Sequence, residues 1–400
     1  MQKQKFKNRA GVYIKQATGY FAFIPENLPP TPSALMDREL TRLLSDADRA
    51  LGRLDGVATV LPNPDLFVAM YIKQEAVYSS QIEGTQSTLE DVLEHEAEAL
   101  KQGRPEDVAE VMNYIKAMNY GIDRLKKLPL SLRLIREIHA ELLKNVRGGE
   151  RTPGEFRKSQ NWIGPSGCSL NQAEFVPPPP HEMLKALDNF EKFLHDKESL
   201  PVLIHCGLAH AQFETIHPFL DGNGRIGRLL ITFLLCERNI LHRPLLYLSL
   251  FLKMHRLEYY ERLMRVRNEG NWEQWLKFFL KGIYSASQTA TETARAILKL
   301  RDDHRDVVFQ MGGMSANALK LLDHLFHKPI VSIKSAQTVM DVSYNTASTI
   351  IQQMAEAGII NEITGKQRYR LFRYDKYINL FHQQTMPDYS DENRSGNGEE

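Results

Sequence analysis

One stretch constrains this chain more than any other: His217-Pro-Phe-Leu-Asp-Gly-Asn-Gly-Arg-Ile-Gly-Arg228. Gly222-Asn-Gly224 does not suit a helix interior, because glycine is among the weakest helix formers. The segment before it, Leu203 to Thr215, and the segment from Arg225 onward both carry helical texture. The local arrangement is therefore helix, tight turn, helix. The second helix presents free backbone N–H groups and the positive end of its dipole at the turn. Such a place binds phosphate.

The other residues of the stretch add chemistry to that nest. Arg225 and Arg228 are three apart, so they share a helix face beside it, and guanidinium groups hold phosphate oxygens bidentately. Asp221 is a hard oxygen ligand where a magnesium ion would bridge phosphates. His217 precedes the nest, and a neutral imidazole there can take a proton from an incoming hydroxyl. Gly222-x-Gly224-x-x-Gly227 also matches the dinucleotide fingerprint, but that reading needs a preceding strand, and Leu203 to Thr215 reads as helix.

The chain is 400 residues long, which predicts two or three domains. Its formal net charge is +1, so global electrostatics favour neither nucleic acid nor a membrane surface. Cys168, Cys206 and Cys236 are too few and too widely spaced for a disulfide framework, and a reducing cytoplasmic location is expected. The basic N-terminal residues lack a following apolar run, so no signal peptide is expected, and no run is long enough to span a bilayer. His205, Cys206, His210 and His217 lack the spacing of a zinc site.

Residues 1–30 read as irregular and extended, punctuated by Pro25, Pro29 and Pro30. Leu35, Leu40, Leu43, Leu44, Leu51 and Leu54 predict a helix from about Ser33, and a second helix is expected from about Asp65 to Ile82, stopped at Gly84. Thr85 or Ser87 caps the next helix, with Glu90 completing a capping box after Ser87. Further helices are expected over 106–126, 131–146, 181–196, 200–216, 225–238 and about 250–300. Between 147 and 180, glycines and prolines break the pattern. Asn161-Trp-Ile and Glu174-Phe-Val flank a Gly-Pro-Ser-Gly turn and predict a surface hairpin at about 160–177.

Beyond Gly312-Gly313, helices over 315–327, 333–340 and 344–358 precede strand-like runs Ile359–Ile363 and Arg368–Phe372, which suggests a winged-helix module. Ser343 to Thr349 would open its recognition helix, and Lys366, Arg368, Arg370 and Arg373 would add charge on the wing, so DNA is an expected partner beside the alternative of a packing module. Residues from about 385 to 400 read as a disordered polar tail.

The 217–228 stretch resembles the Fic family motif HxFx(D/E)GNGRxxR at every specified position: His217, Phe219, Asp221, Gly222, Asn223, Gly224, Arg225 and Arg228. The resemblance implies a mainly α fold: a Fic-type helical core with a β-hairpin flap, followed here by the winged-helix domain. It divides the chain into a helical region 1–125, a core 126–300 with flap 160–177, and a module 312–380. It implies transfer of AMP from ATP, with Mg²⁺, to a Ser, Thr or Tyr hydroxyl of target proteins and of the chain itself. His217 would be the base and Asp221 the Mg²⁺ ligand. The turn Gly222, Asn223, Gly224, Arg225, Ile226, Gly227 and Arg228 would hold the nucleotide, with Arg228 on the γ-phosphate and Phe219 anchoring the loop.

Ser79-Ser-Gln-Ile-Glu83-Gly84 resembles the family's inhibitory motif (S/T)xxxE(G/N). The resemblance implies that Glu83, on the helix at about 65–84, pairs with Arg228 and denies it to the γ-phosphate. The hairpin matches the flap whose edge would pair with an extended target segment. Leu246 to Ser249 resembles the region closing the adenine pocket, but Met254 and His255 stand where a polar residue is expected, so no adenine contact is assigned. Expected partners are ATP, a target protein, DNA and a second copy of the chain. Rival readings are a DNA-binding regulator whose core senses nucleotide, and a related enzyme that uses another donor or removes AMP.

Overall fold

A computed structural model describes residues 7–31, 37–59, 64–97, 105–165, 167–365, 368–382 and 386. Its first element corrects the expectation over 1–30. Strands β1 (Lys7–Asn8), β2 (Gly11–Lys15) and β3 (Phe21–Pro25) form an antiparallel sheet in the order β1-β2-β3. Tyr13 pairs with Phe23 in register, and the two rings meet edge-on at 5.0 Å. The prolines lie at or after the end of β3, so they end the sheet rather than prevent it.

The helices α1 (Arg38–Thr59), α2 (Pro64–Ile82), α3 (Leu89–Glu96), α4 (Pro105–Leu125) and α5 (Leu132–Leu142) come next. Gly84 follows α2 with φ 104°, the left-handed stop that glycine allows. The cap of α3 is Thr88, one residue beyond the expected Ser87. Its side chain accepts from Asp91 N–H, and Asp91 returns a 2.8 Å acceptor to Thr88 N–H. Leu35 and the residues around it lie outside the described ones.

The expected hairpin is reduced to one antiparallel bridge, Ile163 to Phe175, with a short 3₁₀ turn at Leu170–Gln172; Ser166 lies outside the described residues. Beyond Val176, Pro177 to Pro180 offer no N–H groups with which to extend the pairing. Phe23 N–H instead donates to Val176 O at 2.9 Å, so β3 backs the returning limb.

Then follow α6 (Pro180–His195), α7 (Val202–Ile216), α8 (Asn223–Glu237), α9 (Leu248–Met254), α10 (Arg256–Glu269) and α11 (Trp272–Phe309). The helix expected over 250–300 is thus three. Gly270, at φ 68°, ends α10, and Asn271 caps α11 by accepting from Gln274 N–H. Leu203 to Ile216 are all buried, so α7 is the central helix, with α6, α8 and α11 packed around it. The Trp275 indole donates to Gly207 O across that packing.

Beyond α11 come α12 (Ser315–Leu325), β4 (Ile330–Ser332), α13 (Ile333–Met340), α14 (Tyr344–Glu356), β5 (Asn361–Glu362), β6 (Leu371–Arg373) and α15 (Asp375–His382). The sheet order is β4-β6-β5, antiparallel. Neither β4 nor α15 was expected. The Phe381 ring of α15 meets Tyr71 of α2 at 5.6 Å, and the Gln74 amide donates to Phe381 O. The tail expected from 385 lies outside the described residues except for Met386, and Lys366 lies outside them as well. Among the described residues no helix is long and apolar enough to cross a membrane.

Candidate active site

The site is built where α7 stops and α8 starts. His217 ends α7 in the left-handed region (φ 50°), which turns the chain sharply outward. Gly222, at φ 77°, begins α8. Between them, the Asn223 side chain accepts from Phe219 N–H at 2.9 Å and donates to Phe219 O at 2.8 Å. Asn223 therefore acts through a clasp that fixes the loop. Ile226 N–H makes the first bond within α8, to Gly222 O, which leaves the earlier amides at the helix mouth. The Ile226 side chain is buried in the core.

Phe219 is fully buried and stacks on His139 with centroids 3.7 Å apart. Gly154 N–H donates to His139 Nδ1, so Nε2 carries the proton and donates to Asp221 O at 3.0 Å. Burial depresses the His139 imidazole to about 4, so it stays neutral. Asp221 Oδ1 accepts from its neighbour Gly222 N–H at 2.6 Å, while Oδ2 lies 3.8 Å from Arg151.

The two motif arginines do not converge on one point. Arg225 is drawn to Glu110 of α4 at 3.1 Å, a pair with both side chains almost fully buried. Arg228 donates to Ser79 Oγ and Ser79 O, each at 2.8 Å, and to Glu83 Oε1 at 2.7 Å. The Glu83 carboxylate also lies across the mouth of α8: a Cβ on Gly224 would stand 2.2 Å from Glu83 Oε1. Burial pushes the Glu83 carboxyl up, but Arg228 outweighs it and holds the group below the usual glutamate value. Glu83 therefore stays ionised on the anion nest.

Two guanidinium groups flank His217. Arg267 donates to Glu214 O and Thr215 Oγ1, and Arg157 donates to His217 O at 3.0 Å. Burial, then Arg267, then Arg157, depress the His217 imidazole to about 3, against the smaller opposing pull of the Glu214 carbonyl and Glu83. A base there is unprotonated at neutral pH. Burial raises two carboxyls near Arg228, those of Glu75 and Glu214, to about 7. Glu75 also holds Ser249 and Tyr114, tying α2 to α9 and α4.

The other two histidines of the 205–217 group have packing partners. His205 stacks on Phe193, and His210 bridges Gly227 O and the Tyr259 hydroxyl. Met254 and His255 lie at the end of α9 and its C-cap. Glu110, His139, Arg157 and Arg267 carry no sequence signal that ties them to the stretch. Arg157 lies in the glycine- and proline-rich segment, where its burial is unreadable.

Residues 41–123 match the family described as Fic/DOC family N-terminal, and residues 129–235 match the Fic/DOC family. A protein adenylyltransferase Fic of Drosophila grimshawi is 31% identical over 211 residues, 51% of this chain and 40% of the relative. One from Aedes aegypti is 35% identical over 152 residues, 37% of this chain and 27% of the relative. The chain thus spans about two fifths or less of these relatives' length. A Fic family protein from Desulfovibrio desulfuricans G20 shares the fold, with TM-score 0.56 and 18% identity over 85% of this chain and 96% of that one.

Proposed function

We propose that this chain, a member of the Fic/DOC family, transfers the AMP of ATP to a hydroxyl side chain of a target protein and of itself. One observation carries the reading. A neutral, half-buried imidazole stands five residues before a helix mouth across which a carboxylate, Glu83, already lies as an anion.

His217 takes the proton of the hydroxyl. The hydroxyl oxygen attacks the α-phosphorus, the bond from that phosphorus to the bridging oxygen breaks, and pyrophosphate leaves. The amides of Gly224 and Arg225 at the mouth of α8 would receive phosphate oxygens, with Asn223 holding the loop and Gly227 letting α7 and α8 approach closely. Arg228 would meet the γ-phosphate once Glu83 lets go, which makes Ser79, Glu83 and Gly84 the brake. Arg225 supports the nest from its place on Glu110.

The donor set fits Mg²⁺. Asp221 stands one residue before the turn with its side chain about one-third exposed, a hard carboxylate donor that solvent and a ligand can reach. An ion held there by one carboxylate, with phosphates and water as its other ligands, suits magnesium, which would neutralise phosphate charge. The hairpin at 160–177 would align an extended target segment. Three free cysteines suit a reducing, cytoplasmic setting.

The test is incubation with labelled ATP and Mg²⁺. Glu83→Gly should label itself strongly, wild type weakly and His217→Ala not at all. Absence of label on Glu83→Gly with any nucleotide refutes the transfer reading.

A second reading concerns the C-terminal module, as a winged helix on DNA. Tyr344 and Tyr369 are 53% and 90% exposed, with Arg368 exposed beside Tyr369. A salt-dependent shift of duplex DNA, lost in Tyr344→Ala with Arg368→Ala, supports it, and no shift at low salt removes it.

A further inference from the structure

Arg157 is among the largest fully buried side chains, yet it has no carboxylate within ion-pair distance among the described residues. A buried charge without a counter-ion is costly, so its solvation must come from dipoles. The guanidinium finds them in backbone carbonyls alone: His217 O at 3.0 Å, Ile216 O at 3.5 Å, Ser159 O at 3.1 Å and Pro178 O at 2.5 Å. Its own backbone N–H donates to Pro218 O at 2.9 Å.

Three consecutive carbonyls of the His217 turn, those of Ile216, His217 and Pro218, therefore end on one residue. Two of them, Ile216 O and His217 O, lie at the end of α7, where carbonyls lack helical partners, and a cation suits that end of a helix dipole. The other two contacts flank the hairpin, Ser159 just before its outgoing limb and Pro178 just beyond its returning limb. Asn161, next on the outgoing limb, donates to Phe219 O at 2.9 Å and reaches His217 O at 3.5 Å.

We propose that Arg157 positions the base: it fixes the left-handed His217 turn and joins it to both ends of the hairpin. A segment docked on the hairpin and the His217 imidazole then keep one relative geometry. Arg157 is too occupied by carbonyls to touch substrate, so it is a positioning residue and acts through His217. This rests on reading the site as a transferase.

The experiment uses the full chain in a Glu83→Gly background with labelled ATP and Mg²⁺, comparing Arg157 with Arg157→Ala and Arg157→Lys. Initial self-labelling rates and ATP affinity by calorimetry are measured together. Expected for Arg157→Ala is a fall in maximal rate of about 30-fold or more, as a misplaced catalytic group costs on the order of a hundred-fold. ATP affinity should stay within about two-fold of the parent, because the nest is untouched. Millimolar guanidinium should restore part of the rate, and urea at the same concentration should not.

An unchanged rate in Arg157→Ala overturns the proposal, as does a loss confined to ATP affinity. If Arg157→Ala fails to fold, Arg157→Lys decides. It keeps the charge but cannot reach all four carbonyls, so a rate equal to the parent's overturns the proposal and a ten-fold loss at constant ATP affinity supports it. If the Glu83→Gly parent itself does not label, the transferase reading falls and this inference with it. Labelling by the parent with normal Arg157 variants removes this inference alone.

Discussion

Replacing Glu83 with glycine removes one partner of Arg228 and leaves the other two. The lost contact is a charge-assisted hydrogen bond of 2.7 Å to a guanidinium that is itself buried. Such bonds contribute about 1.5–3 kcal/mol net, and the one-third exposure of Glu83 argues against a larger figure. If ATP must displace this contact to place its γ-phosphate on Arg228, the brake slows transfer roughly 10- to 150-fold. Glu83→Gln keeps a neutral acceptor worth about 0.5–1.5 kcal/mol, so its rate should fall between. The assay is the initial rate of self-labelling by all three proteins at saturating Mg²⁺ and equal ATP. Equal rates for wild type and Glu83→Gly, with ATP bound by both, would refute the reasoning. So would a Glu83→Gln rate above that of Glu83→Gly.

Ser79→Ala removes the 2.8 Å hydroxyl contact to Arg228 but leaves Ser79 O in place. Its self-labelling should rise by about ten-fold or less, below Glu83→Gly in the same assay. Glu110→Ala leaves the buried Arg225 charge only the looser Asp221 contact at 3.6 Å and should lower stability to urea by up to about 3–5 kcal/mol, whereas an effect under about 1 kcal/mol would deny the pair a structural role. Burial raises the Glu214 carboxyl from 4.5 to about 7. A raised carboxyl contributes stability that is fully present below about pH 4.5 and is lost as pH rises through about 7. Glu214→Gln, which cannot ionise, should therefore be the more stable protein at pH 8, by about 1–3 kcal/mol in urea titrations. Near pH 4 the difference should vanish.

Much of the site was legible because its residues are neighbours in sequence. The Gly222-Asn-Gly224 turn, its two helices and the four-residue step from Ser79 to Glu83 follow from local preferences. What surrounds them does not. Arg157 meets His217 sixty positions away, and Glu110 meets Arg225 across 115. Nothing in the spacing of either residue distinguishes a buried partner from a solvated one. The N-terminal sheet was missed for a different reason. Its strands are short, and Pro25 lies at the end of one of them, so the prolines outweighed the apolar run Phe21–Ile24. The division of 250–300 into three helices was written in Gly270-Asn271 but masked by the leucines and aromatics on either side.

Competition between Glu83 and the γ-phosphate for Arg228 is tested most directly by calorimetric titration of wild type and Glu83→Gly with ATP and with ADP, in Mg²⁺. ADP lacks the contested group. Glu83→Gly should bind ATP about ten-fold or more tighter than wild type, while ADP affinity changes by less than about two-fold. An equal gain for both nucleotides, or none for ATP, would contradict the competition.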